Sequence, residues 1–140
     1  MENEEKERIY DVEEARRIFL QDRYAMVTTG IDILEVADGY AKCCFKPDEK
    51  HKNARGTVMG GALFTLADFT FAVASNYNKP YGTVTNVSQI TFLRSASAGT
   101  VFAESRLIKD GRTACTYEIS ITDSSGRLLA IVSVNGIHVR

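Results

Sequence analysis

Apolar positions fall into two periods along the chain. Val12, Ala15, Ile18 and Phe19 recur at helical spacing, and Asp22 or Tyr24 continues the series. The spacing predicts a helix over about 11–24, with Asp11 and Glu14 as a capping box at its start. The strand-like stretches IDILEV (31–36) and GYAKCCF (39–45) follow, joined by a turn at Asp38-Gly39. Pro47 closes the second and opens a polar loop over 47–58. Between 60 and 76 the pattern becomes helical again, but Leu63, Phe64, Leu66, Ala67, Phe69, Phe71, Ala72, Val73 and Ala74 cover most of the circumference. A helix apolar on nearly every side is expected to be buried on nearly every side. Nothing else in the chain is helical enough to bundle over it, so its cover must be a sheet.

The second half supplies that sheet. GTVTNVSQITFL (82–93) is rich in β-formers, and VFAESRLI (101–108) alternates. Asp110-Gly111 signals a tight turn. ACTYEISIT (114–122) puts Cys115, Tyr117, Ile119 and Ile121 on one face, and LLAIVSVNGIHV (128–139) follows the turn at 123–127. Short turns make the strands antiparallel. The predicted architecture is α+β: one long hydrophobic helix wrapped by a curled antiparallel sheet of five or six strands. It forms a single domain over 1–140 with residues 1–9 frayed. Free sheet edges invite pairing with a second copy, so at least a dimer is expected.

Composition narrows the function. Of 140 residues, 44% are hydrophobic and 25% charged, as in an ordinary globular domain. A net charge of -1 offers no field for nucleic acid or an anionic membrane. The longest apolar run is broken by Thr65, Asp68 and Thr70, too polar for a membrane span. The acidic N-terminus does not read as a signal peptide. Three cysteines, two of them adjacent, do not make a disulfide framework and point to a reducing, cytoplasmic compartment. His51 and His138 form no zinc pattern with them, so no metal is expected. GTVMGG lacks the GK[ST] ending of a phosphate loop.

Chemistry concentrates in NARGTVMGGALFTLAD (53–68). Gly60 and Gly61 open the apolar helix, where unpaired N–H groups carry a partial positive charge. Without side chains, they admit a carbonyl oxygen on which negative charge develops. Alternatively, they only permit tight packing of helix on sheet. Asp68 sits in the middle of the same helix. Its ordinary reading is an acid that reaches solvent or bonds Thr65 at i−3. Its functional reading is a catalytic carboxylate. Eight residues separate it from Gly60, roughly 12 Å along one helix, so the two cannot reach one reacting group within a chain. Two antiparallel helices across a dimer axis can bring them together.

HKNARGTVMGGALFTLAD resembles the HxNxxGxxHGGxxxxLxD signature of the hotdog-fold acyl-CoA thioesterases, within them the phenylacetate-degradation (PaaI-type) group. VSQITFLRSA (87–96) resembles the strand after the central helix in that family. The resemblance implies hydrolysis of an acyl-CoA thioester without a cofactor, in a homodimer or a tetramer of two dimers. It implies Asp68 as base or nucleophile, the Gly60 N–H of the opposite subunit as carbonyl donor, and Asn53 as a positioning group. Gly61, Met59, Thr85 and Arg94 fall at substrate-binding positions. Met59 replaces the family's usual His and Ser95 its usual Pro. His51 reads as a general acid/base or as a loop histidine capping a strand end. Lys50, Lys52, Arg55 and Arg94 read as phosphate partners or as ordinary surface cations. A hotdog-fold hydratase or dehydratase would pair a histidine with the acid. A non-catalytic acyl-CoA sensor would typically add a DNA-binding domain.

Overall fold

The computed structural model describes residues 10–96 and 98–140; the expected fraying of 1–9 lies outside them. The chain forms α1 (Val12–Phe19), a π-helical turn (Tyr24–Thr29), β1 (Asp32–Ala37), β2 (Tyr40–Phe45), a 3-10 turn (Glu49–His51) and α2 (Gly60–Asn76). Then come β3 (Gly82–Phe92), β4 (Val101–Asp110), β5 (Ala114–Thr122) and β6 (Leu128–Val139). One six-stranded sheet has the order β1-β2-β4-β5-β6-β3, every pairing antiparallel. This is the α+β architecture expected from the sequence.

The inward face of β5, Cys115, Tyr117, Ile119 and Ile121, is buried as its alternation predicts. Tyr117 meets Phe71 of α2 edge to face, ring centres 5.3 Å apart. Helix and sheet approach so closely at Gly136 that a Cβ there would lie 2.7 Å from Phe71 Cζ. Leu63, Leu66, Phe69, Phe71 and Val73 of α2 are buried, Phe69 edge to face with Phe19 of α1, ring centres 6.0 Å apart.

Three local expectations are corrected. The first helix stops at Phe19 rather than near 24, because Leu20 to Arg23 are all exposed and give a further turn nothing to bury. The chain re-enters helical geometry as the π turn, which closes at Gly30 with φ 83°. Only half of the capping box forms. The Asp11 carboxylate accepts from Glu13 N–H (2.9 Å) and Glu14 N–H (3.5 Å), but the Asp11 N–H donates to the Tyr77 hydroxyl. Finally, α2 is not covered all round. Gly61 and Asp68 are exposed and Thr65 and Ala72 half-buried, so one stripe of the helix stays open between the π turn and the curl of the sheet.

The sheet leaves two edges, β1 and β3. Edge strand β3 pairs only with β6 and exposes Val84, Val87 and Phe92, each about half accessible.

Candidate active site

The loop before α2 is built from its own polar groups. Asn53 Oδ1 accepts from the N–H groups of Arg55 (3.0 Å) and Thr57 (3.2 Å), and its Nδ2 donates to Thr57 Oγ1 (3.1 Å). The Asn53 N–H donates to the Thr57 carbonyl at 2.8 Å. This closed loop delivers the chain to Met59, the N-cap, whose side chain makes no capping bond. The first-turn N–H groups of Gly60 and Gly61 therefore have no partner among the described residues. These are the free donors that the glycine pair predicted.

Gly60 has a further steric reason to be glycine. A Cβ there would lie 2.8 Å from Cζ of Phe92, whose ring rests over the helix start. Asn53, Thr57, Gly60, Leu63, Phe92 and Arg94 line an open cavity of about 420 Å³. Arg94 is oriented by a bond from its guanidinium to the Leu128 carbonyl, 2.9 Å. Met59 and Gly61 line a neighbouring cavity of about 240 Å³ with Tyr24, Lys50 and His51.

Asp68 stands elsewhere. It lines a separate cavity of about 310 Å³ with Asp22, Arg23, Tyr24, Thr65 and Phe69. Asp68 is exposed in the single chain, because it lies on the open stripe of α2. It is not bonded to Thr65, whose hydroxyl donates to the Gly61 carbonyl at 2.8 Å. Instead Thr85 Oγ1 on β3 donates to Asp68 Oδ1 at 3.4 Å. Loss of water to the surrounding wall pushes the Asp68 carboxyl above the ordinary carboxylate range. The Thr85 hydroxyl opposes that shift and the charge of Asp22 adds to it. A carboxylate short of hydrogen bonds and partly stripped of water is a better base than one in bulk solvent.

Thus one chain brings Asn53, Gly60 and Arg94 together, and Thr85 to Asp68, but holds the two groups in different cavities. The sequence reading missed the wall formed by Asp22, Arg23 and Tyr24, which had looked like a helix tail. It also missed Phe92, which had looked like an ordinary strand residue.

His51 is a structural histidine. It is buried, its Nδ1 accepts from the Asp48 N–H (3.0 Å), and its Nε2 faces the Thr29 carbonyl (2.8 Å). A carbonyl only accepts, so Nε2 carries the proton and both nitrogens are used. Lys50 pairs with Asp48 and Lys52 with Glu49, as surface cations do. Burial pushes the Cys43 thiol up to about 12, far from a reactive thiolate. Among the described residues no cluster of three or more His, Cys, Asp or Glu could hold a metal ion, and no helix is long and apolar enough to cross a membrane.

Comparison with known proteins gives the family. Residues 55–130 match the Thioesterase superfamily. A protein of Archaeoglobus fulgidus is 35% identical over 100 residues, which span 71% of this chain and 64% of that one. The match thus covers just under two thirds of the archaeal protein. The acyl-coenzyme A thioesterase PaaI of Escherichia coli is 31% identical over 103 residues, 73% of each chain. The solved structure of the E. coli PaaI protein superposes with a TM-score of 0.85 at 25% identity, covering 92% of this chain and 94% of that one.

Proposed function

Because this chain belongs to the thioesterase superfamily, as a PaaI-type hotdog-fold thioester hydrolase, we propose that it cleaves an acyl- or aryl-acyl-CoA to the free acid and CoA. The observation that carries the reading is the division of α2: the unsatisfied N–H of Gly60 at its start in one cavity, and a partly desolvated carboxylate on its open stripe in another. Each lacks what the other supplies.

In the proposed reaction the thioester carbonyl oxygen accepts from the Gly60 N–H of one subunit while Asp68 of the partner subunit acts on the carbonyl carbon. As a base, Asp68 takes a proton from water as the water oxygen bonds to that carbon. The oxyanion then collapses, the C–S bond breaks, and the CoA sulfur leaves with the proton returned by Asp68. As a nucleophile, the carboxylate oxygen bonds to the carbon, the C–S bond breaks as CoA leaves as a thiolate that takes a proton from water, and a second water then cleaves the anhydride to release the acid and regenerate the Asp68 carboxylate. A thioester is activated enough for an oriented carboxylate and an oxyanion donor, so no cofactor is required. Asn53 holds the loop that aims the donors, Arg94 meets the CoA portion, and Gly61 and Met59 border its path. Thr85 steadies Asp68.

A homodimer, joined through the β3 edge with its exposed Val84, Val87 and Phe92, completes both sites; two dimers form a tetramer. The enzyme works in the cytoplasm, in keeping with three free cysteines. The hydratase reading is weaker because His51 has both nitrogens engaged. Thiol release measured across a panel of acyl-CoAs tests the proposal. Turnover by the wild type and none by Asp68→Asn supports it. Binding of CoA esters without release of thiol from any of them would establish the non-catalytic alternative.

A further inference from the structure

The start of β3 is fastened to the end of α2 by one side chain. Asn76, the last residue of α2, accepts from the Thr83 N–H at 2.7 Å through Oδ1 and donates to the Thr83 carbonyl at 3.1 Å through Nδ2. The same amide nitrogen reaches the Ala72 carbonyl at 2.9 Å, so the clamp is anchored within its own helix. Thr83 is held from its other side too. Its hydroxyl lies 2.7 Å from His138 Nδ1, and His138 Nε2 lies 2.7 Å from Asp110 Oδ1. The His138 side chain is only 3% exposed, so this brace is sheltered from water.

Thr83 and Thr85 are two residues apart and point to one face of the strand. Thr85 is the residue whose hydroxyl meets Asp68. The ladder to β6 is regular through Thr85 and slips immediately after it, before Val87. The position of Thr85 is thus bounded by the irregularity in the ladder on one side and by the fastening of Thr83 to the helix on the other. We propose that Asn76 is a positioning residue for Asp68: by clamping Thr83 to the end of α2, it sets the distance at which the Thr85 hydroxyl reaches the carboxylate. The inference rests on the reading of Asp68 as the reacting group.

The groups facing Asp68 are Asp22, Arg23 and Tyr24 from the segment before and within the π turn, and Thr85 from β3. The charged ones are untouched by changes at Asn76, so they give a constant background. Losing the Thr85 bond removes an interaction that favours the ionised acid, so Asp68 should titrate at higher pH. Thr85→Val should move the acid limb of the kcat–pH profile, and the carboxyl 13C NMR titration of Asp68, upward by about half a unit or more. Asn76→Ala should move both in the same direction. The double variant should move them no further than Thr85→Val alone, because Asn76 acts through Thr85. Loss of a purely structural residue would lower Tm and leave the titration in place. Should Asn76→Ala fail to fold, Asn76→Ser, whose single short hydroxyl cannot make both bonds to Thr83, carries the same expectation. A folded Asn76 variant whose Asp68 titrates as in wild type, or shifts that add in the double variant, overturns the proposal. The NMR titration needs no turnover, so absence of thioester hydrolysis would count against the proposed function alone.

Discussion

At the start of α2, Asn53 and Thr57 close a loop with three side-chain bonds, and the product of that order is a pair of bare backbone donors. Two turns further on, Asp68 has one long hydrogen bond, a neighbouring like charge and an open face. The donor end is organised locally, by residues within a few positions of one another in sequence. The acid end is organised at a distance, by β3 and by the segment around the π turn. A single chain completes the first arrangement by itself. It cannot bring the two kinds together, since roughly 12 Å of helix separates them.

The comparison is broken most severely by removing the acid. Asp68→Asn keeps the shape of the side chain and should lower kcat by about 10²-fold or more, the scale of a lost general base. Retention of more than about a tenth of the wild-type rate would remove Asp68 from the chemistry.

Mixing subunits tests whether the halves really meet across a dimer. Gly60→Pro deletes the donor N–H but also sets a side chain against Phe92, so its far-UV circular dichroism and Tm must first match a folded protein. Neither that variant nor Asp68→Asn should work alone. An equal mixture with free exchange should recover about a quarter of wild-type activity, because half the dimers then hold one intact site of two, if sites are independent. A mixture that exchanges subunits yet stays inactive sinks the shared-site arrangement.

Asn53→Ala loosens the donor end without deleting it. The loop loses its three bonds, and kcat should fall about tenfold, with a smaller rise in KM. An unchanged kcat in steady-state kinetics would confine Asn53 to stability of the loop.

The smallest effect sharpens the acid end. The folded-state pKa of Asp68 is raised, so the group favours folding below its unfolded pKa, and that contribution is lost as pH rises through the folded value. Asp68→Asn should therefore show a slightly higher Tm than wild type near pH 7, relative to its difference at pH 3. A Tm difference independent of pH would mean that desolvation of this carboxylate has no bearing on stability.

Much of this molecule was legible along the chain. Core β5 and β6 begin and end where alternation and turns put them, and α2 spans 60–76 as its apolar run implied. Those elements are long and strongly periodic, so local pattern and tertiary packing agree. The region 20–24 was misread because a helical period continues through it on paper. In the fold, the exposed Leu20–Arg23 stretch ends α1, and the chain resumes as a π turn. Gly60 and Asp68 were singled out as candidates by type and spacing, and Asn53 by the resemblance of the motif around it. Their bonding could not be, because Thr85, Phe92 and Asn76 reach them only through folding.

Sequence alone determined the types of the long elements, the antiparallel class of the sheet and the eight-residue gap between Gly60 and Asp68. Each of these follows from short-range periodicity or from the fixed rise of a helix. Tertiary structure decided the strand order, the open stripe that exposes Asp68, the Phe92 ring over Gly60 and the clamp of Asn76 on Thr83. These depend on which distant segments lie side by side, and pairing between edges carries no local signature: the hydrogen-bonding groups of the backbone are the same at every residue except proline.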